Sequence, residues 1–400
     1  MAKKKILIIC SSFPPEKGAA ANRMYHLAQL LKQQQYEPLI YTPIPNYPTG
    51  KFFEGYSKNK NRFEEIDGLN VHRYWFWPSN SSNILKRLWS HLSLAYSLYF
   101  NAKKFIHQQK PDVVIVSSPP LITGYITSII TRKLKLPLLL NISDLWPQSA
   151  VDLNFLKEGL LYRFLHYLEQ RMYENATAIS VQSEYIEQYI AAKVQKPIFL
   201  YRNLNPVIKT IHFNNEQNAK RKIVYAGLLG VAQGLLNIIK NINFKALNTE
   251  LHIYGQGYEL PYILDYVQQH SEEKGVYYKG VVETNDVPIM LMDYQAMLIP
   301  LSTTIHGAVP SKIFNALANH IPILFSGNGE GASIVERYGI GWSSNVQDYK
   351  ALEQNIKTLI ALDQEKYKSL KAQCKKVSEE VFNKEQQDKK FYTFFEQNLS

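Results

Sequence analysis

The stretch Lys222-Ile223-Val224-Tyr225-Ala226-Gly227-Leu228-Leu229-Gly230-Val231-Ala232-Gln233-Gly234 decides how this chain is read. A short apolar, β-branched run passes straight into a glycine-rich loop, and helix-like sequence follows: a strand, a turn and a helix start. The same succession opens the chain. There Ile6-Leu7-Ile8-Ile9-Cys10 leads into Ser11-Ser12-Phe13-Pro14-Pro15-Glu16-Lys17-Gly18 and the amphipathic segment Ala20–Gln34.

Each opening heads a series. After the first come apolar runs at Leu39–Thr42, Val71–Trp75, Val113–Ser117, Leu138–Ile142, Ala178–Val181 and Ile198–Tyr201. Between them lie amphipathic segments such as Ile84–His107, Tyr162–Tyr173 and Glu184–Lys193. After the second come Leu251–Tyr254, Val276–Lys279, Ala296–Ile299 and Ile323–Phe325, and from Asp348 the chain reads as helical. The runs are near-continuously apolar, as strands covered on both faces must be. Polar Arg202–Arg221 reads as a linker. The expectation is an α/β protein of two Rossmann-like domains, 1–204 and 205–385, with a closing helix over 386–400 that can return to the first domain. Ligands of open α/β sheets sit beyond the carboxyl ends of the strands, so domains facing each other would share one cleft.

Apolar residues make up 46% of the 400, enough for sizeable cores. No run reaches the roughly 18 uninterrupted apolar residues that spanning a bilayer needs. The start, Met1 to Cys10, lacks a cleavage site before its turn and reads as a buried strand rather than a signal peptide. Cys10 and Cys374 are far apart and the ten histidines show no zinc spacing, so no metal or disulfide framework is expected and a reducing cytoplasm fits. The net charge of +11 implies an anionic partner: nucleic acid, lipid headgroups or phosphorylated small molecules. No nucleic-acid-binding signature appears, which sets nucleic acid aside.

Several loops carry residues suited to an anion. Gly18 and the alanines after it let backbone approach a ligand at a helix start, though an ordinary turn would look the same. Gly227, Gly230 and Gly234 form a phosphate-cradle pattern, and Gly255-Gln256-Gly257 follows a neighbouring strand. The most informative stretch is His306-Gly307-Ala308-Val309-Pro310-Ser311-Lys312-Ile313-Phe314-Asn315. Helical spacing from Ile313 predicts a helix beginning near Ser311, with Pro310 just before it. That puts the Ser311 hydroxyl and the Lys312 ammonium where a diphosphate can bind; as an alternative, Ser311 is a plain cap. Asp144, just past the run ending at Ile142, can orient or deprotonate an acceptor hydroxyl, or merely cap its turn. Lys86, Arg87, Lys103 and Lys104 bracket Trp89, Leu92, Tyr99 and Phe100, a pattern shared by helices lying in a membrane interface and by helices packed on a sheet.

Taken in order, these pieces resemble glycosyltransferase family 4, and more narrowly the bacterial N-acetyl-L-fucosaminyl transferases of surface-polysaccharide synthesis. The resemblance runs nearly end to end. It rests on Phe13-Pro14-Pro15-Glu16 with Gly18 and Arg23, Pro45-Asn46-Tyr47-Pro48-Thr49-Gly50, Ser118-Pro119-Pro120-Leu121 and Asp144-Leu145-Trp146-Pro147-Gln148-Ser149-Ala150-Val151. In the second half it rests on Tyr225-Ala226-Gly227, Ala232-Gln233-Gly234-Leu235, Pro310-Ser311-Lys312-Ile313-Phe314 and Gly329-Glu330.

The resemblance implies the GT-B fold, two Rossmann-like domains facing across a cleft. It implies transfer from a UDP-sugar with retention of anomeric configuration and no bound metal or other cofactor. The acceptor it implies is a lipid-linked, polyprenyl diphosphate saccharide in O-antigen or capsule assembly, reached at the inner membrane surface. Gly227, Gly230, Ser311 and Lys312 would grip the diphosphate, with Gly18 near its sugar end. Gln233, Gly234, Gly255, Pro310, Asn315 and Glu330 complete the donor set, and Asp144 is the catalytic candidate. The chain departs from the family where relatives carry two glutamates: Gly307 and Asn315 stand there, and Asn315 can reach ribose hydroxyls only as a neutral group. Gln233 stands where many relatives have lysine. A UDP-sugar 2-epimerase and a catalytically silent nucleotide-binding module are the competing readings.

Overall fold

The computed structural model describes residues 3–47, 49–56, 61–79, 84–206, 221–283 and 286–399. Most of the expected linker, 207–220, lies outside them, as does Pro48. The chain divides into two compact units, Met1–Asn203 with Asp388–Ser400, and Leu204–Gln387.

The first unit holds β1 (Lys5–Ile9), β2 (Glu37–Pro43), β3 (Asn61–Ile66), β4 (Leu69–Tyr74), β5 (Val113–Ser118), β6 (Leu138–Ile142), β7 (Ala178–Val181) and β8 (Ile198–Leu200). They form one sheet in the order β3-β4-β2-β1-β5-β6-β7-β8, in which only the β3/β4 pair is antiparallel. Successive residues point to opposite faces, so each apolar strand feeds two cores. Ile6, Ile8, Ile40 and Ile115 pack with Met24, Leu27 and Leu31 of helix Ala19–Gln33 and with Phe391, Phe395 and Leu399 of the last helix, Lys384–Leu399. Leu7, Ile9, Val114, Val116 and Leu140 pack with Leu98, Ile106, Ile126, Met172 and Ile190 on the other face.

The second unit holds β9 (Arg221–Ala226), β10 (Thr249–Tyr254), β11 (Val276–Gly280), β12 (Ala296–Pro300), β13 (Ile323–Ser326) and β14 (Gly341–Ser344). Its sheet is parallel throughout, in the order β11-β10-β9-β12-β13-β14. Ile313, Phe314 and Leu317 of the short helix Lys312–Ala318 cover one face, against Val224, Met297 and Phe325. In both sheets strand order reverses beside the first strand, the point at which loops diverge and leave room for a ligand. Each unit is an open α/β sheet of the Rossmann-like kind expected from the sequence.

Two strands lie outside the sequence pattern. β3 reads Asn-Arg-Phe-Glu-Glu-Ile, too polar for a buried strand, because it is a sheet edge. β14 is Gly-Trp-Ser-Ser, a short edge at the far end of the other sheet.

Candidate active site

In the second unit the glycine loop leaves β9 and packs backbone against backbone on the next loop. A Cβ on Gly255 would lie 1.8 Å from the Gly227 carbonyl oxygen, and one on Gly257 would lie 2.3 Å from that of Leu229. No other residue allows this approach. The contact also engages the amides expected to hold phosphate. Gly227 N–H donates to Tyr254 O (3.0 Å), Leu229 N–H to Gln256 O (2.9 Å) and Gly234 N–H to Val231 O (3.2 Å). Gly230 N–H donates to Gln233 Oε1 at 3.2 Å, so Gln233 braces its own loop. The Gly227 and Gly230 amides are therefore not spare donors. What these glycines contribute is space.

Lys312 fills that space. Its side chain runs over Gly227, whose φ is 145°, and a Cβ there would meet Lys312 Cε at 2.4 Å and Nζ at 3.0 Å. The Nζ lies 5.1 Å from the centre of the Tyr225 ring, which is itself buried and donates its hydroxyl to Leu228 O. Among the described residues Lys312 has no ion pair and no hydrogen-bond acceptor, and burial alone pushes its ammonium down to about 8. A desolvated cation without a counter-charge raises the energy of the empty site and favours an incoming anion.

Around it the other expected residues fall as follows. Ser311 occupies the helix cap position with helical dihedrals, and its side chain makes no capping bond. Pro310 precedes it and accepts from Ile313 N–H at 3.0 Å. Asn315, one turn on, accepts from Asn205 Nδ2 through Oδ1, so its amide NH₂ is not engaged in that bond. Glu330 opens helix Glu330–Arg337 after Gly329.

Gly18 and Asp144 belong to the first unit. Gly18 precedes helix Ala19–Gln33 with φ 147°, and nothing would touch a Cβ there. Asp144 stands two residues past β6. Burial raises its carboxyl above the usual range, while the Arg23 guanidinium and a Ser143 hydrogen bond act against this. Arg23 is only 6% exposed, and its Nε has no hydrogen-bond partner among the described residues. Sequence inspection placed Arg23 in a motif without giving it a role. Only the fold shows that it lies within electrostatic reach of Asp144.

The first loop is held by two residues that sequence reasoning left unassigned. The buried Glu16 accepts from the amides of Phe13 (3.3 Å), Asn46 (2.8 Å) and Tyr47 (2.9 Å). The fully buried Arg73 pairs with Glu64 and donates to Pro43 O (3.2 Å) and Pro14 O.

The amphipathic segment forms helix Ile84–Ser97, a wider turn Leu98–Ala102 and helix Lys103–Gln109. The side chains of Arg87 and Leu88 lie outside the described residues. Leu94, Leu98, Ala102 and Ile106 face the core, while Trp89, Leu92, Tyr96 and Phe100 form an exposed stripe. Phe155, Leu160, Leu161, Phe164 and Tyr167 are also exposed, on and before helix Leu160–Asn175. Among the described residues no helix is long and apolar enough to cross a membrane.

Comparison with known proteins fits this geometry. A glycosyl transferase 4-like domain model matches residues 18–198, and a glycosyl transferases group 1 model matches residues 207–377. No curated protein matches the chain. Among solved structures, sucrose-phosphate synthase from Thermosynechococcus elongatus is 13% identical with a TM-score of 0.74, covering 99% of each chain. The lipopolysaccharide outer core galactosyltransferase WaaB is 15% identical with a TM-score of 0.63, covering 99% of this chain and 100% of the other. The pneumococcal O-GlcNAc transferase GtfA, solved with UDP and GlcNAc, is 11% identical with a TM-score of 0.66, covering 100% of both. With a 4-like half, a group 1 half and this architecture, the chain is a glycosyltransferase of the GT-B type.

Proposed function

We propose that this glycosyltransferase is a retaining, metal-independent enzyme that takes an N-acetylated amino or deoxyamino sugar from a UDP-sugar. The acceptor is a lipid-linked or saccharide intermediate of surface-polysaccharide biosynthesis, such as O-antigen or capsule. The observation that carries the donor half of this reading is Lys312, a desolvated ammonium seated over Gly227 and the Tyr225 ring with no counter-charge among the described residues. The departing UDP gains negative charge in the transition state, and a fixed cation placed to meet that charge lowers the barrier. Ser311 adds a hydroxyl, Asn315 a ribose donor, and Glu330 a carboxylate for the sugar. Asp144, its carboxyl raised by burial, is the group proposed to orient or deprotonate the acceptor hydroxyl.

Other proteins of this fold support UDP as the nucleotide: GtfA was solved with UDP and GlcNAc, and HepE of Anabaena with UDP. WaaB, by its description, works on lipopolysaccharide. The likeness to N-acetyl-L-fucosaminyl transferases supports the amino sugar. The exposed stripe Trp89, Leu92, Tyr96 and Phe100, flanked by Lys103 and Lys104, supports peripheral contact with the cytoplasmic face of the inner membrane, where a polyprenyl diphosphate acceptor would be met.

Thermal-shift screening against UDP, GDP and UDP-amino sugars tests the donor half, since a ligand that prefers the folded state raises the melting temperature. UDP and one UDP-amino sugar should raise it and GDP should not, and incubating that donor with a native lipid extract should yield labelled lipid. Absence of any UDP shift would remove the reading.

A further inference from the structure

The first unit also holds a groove of about 410 Å³ that none of the donor chemistry uses. Its floor follows from strand alternation. β2 sends Leu39 and Tyr41 to one face, β4 sends Asn70 and His72 to the same face, and the register sets Tyr41 beside His72 and Leu39 beside Asn70. The antiparallel β3 then places Phe63 opposite His72. Helix Lys103–Gln109 forms one wall: the Phe105 ring stacks on His72 at 4.7 Å and on Tyr41 at 5.1 Å. Phe63 is 64% exposed at the rim.

Polar groups ring this aromatic floor. The side chains of Asn70, Lys104 and Gln108 have no hydrogen-bond partner among the described residues, and Asn101 donates to Ser97 Oγ at 3.1 Å and keeps its carbonyl. An amide both donates and accepts, as a sugar hydroxyl does, and the exposed Phe63 ring, backed by the stacked Phe105, His72 and Tyr41, suits the apolar C–H face of a pyranose. The lone cation, Lys104, shares the groove with Glu37, so there is no net charge to attract a nucleotide or phosphate. Its volume lies within the roughly 300–1,000 Å³ usual for small-molecule sites.

We propose that this groove is a second carbohydrate-binding site, specific for neutral saccharide. It lies at the amino-terminal parts of β2 and β4, whereas Asp144 follows the carboxyl end of β6. The groove therefore holds a remote part of a glycan rather than the reacting hydroxyl. That role in glycan handling rests on the transferase reading; the binding itself does not.

Native gels cast with glycol chitin, dextran or galactomannan test it, run with the full chain at saturating UDP. At least one polymer should retard the wild type, and Phe63→Ala and Asn70→Ala should each weaken that retardation at least tenfold. Phe63 is exposed and Asn70 partly so, and an unchanged melting temperature checks that both variants fold. Migration unaffected by all three polymers would overturn the proposal, as would equal retardation of both variants. UDP thermal shifts on the same samples separate the two claims, because a lost UDP shift with intact Phe63-dependent retardation sinks the donor reading alone.

Discussion

The strand-to-helix loops that open the two units use their charges in opposite ways. In the first, Glu16 is saturated by three backbone amides, and Arg73 is saturated by Glu64 and two carbonyls. In the second, the amides are satisfied by neighbouring backbone and by Gln233, while Lys312 lies over the Tyr225 ring with no counter-charge or hydrogen-bond acceptor among the described residues. A fully satisfied buried charge holds a loop in shape. An unsatisfied one costs stability and stands ready for a ligand. On this contrast the first loop is scaffold and the loop under Lys312 is the proposed donor site.

The largest expected effect tests the scaffold side. Arg73→Met takes away the buried partner of Glu64, which keeps only Arg62 (3.5 Å) and the Tyr56 hydroxyl (3.0 Å), and orphans two carbonyls; it should cost about 3–5 kcal/mol in urea unfolding of the first unit. UDP affinity at low temperature should stay unchanged. If the loss is under about 1 kcal/mol, the comparison breaks on that side.

Lys312→Ala should do the reverse. Calorimetry should show UDP binding weakened about 10- to 100-fold, the equivalent of one charged hydrogen bond of roughly 1.5–3 kcal/mol. The melting temperature of the empty protein should hold or rise, because a desolvated charge without a counter-charge is gone. A clear drop would mean that the ammonium has a structural partner.

Gly227→Ala sharpens the same point through shape. The new methyl meets Lys312 at 2.4 Å on a backbone with φ 145°, a strain of about 1–3 kcal/mol. It should displace the ammonium and weaken UDP several-fold, with alanine at Gly18, where nothing would touch the methyl, as the milder control.

The smallest effect is in pH. Lys312 titrates at about 8 when folded, against 10.5 for an ordinary lysine. Between those values the unfolded chain binds more protons, so this residue's contribution to stability rises with pH across that window, and its penalty is complete below 8. UDP affinity should run the other way and fall as pH climbs past 8. Lys312→Arg, charged throughout, should flatten both trends.

Strand positions such as Leu138–Ile142 and Ala178–Val181 were legible because burial on both faces leaves an unbroken apolar run. β3 was not, since an edge strand carries Arg62, Glu64 and Glu65 toward solvent or a neighbour and loses that signal. In the proposed site, glycine spacing marked loops that pack backbone on backbone, and Pro310-Ser311-Lys312 marked a helix start. The state of each donor was hidden. Whether the Gly227 amide is available depends on Tyr254, and whether Lys312 is paired depends on every acidic residue the fold brings near. Arg23 and Glu16 were hidden for the same reason: their partners, Asp144, Asn46 and Tyr47, are distant in sequence.

The central claim is that the Lys312 ammonium is the group that meets the diphosphate. Lysine ¹⁵Nζ NMR, with the signal assigned by its loss in Lys312→Arg, measures this directly. In the empty protein the group should titrate at about 8. Saturating UDP should carry it upward by two units or more, as a new anionic partner must. A titration curve that UDP leaves in place would contradict the account.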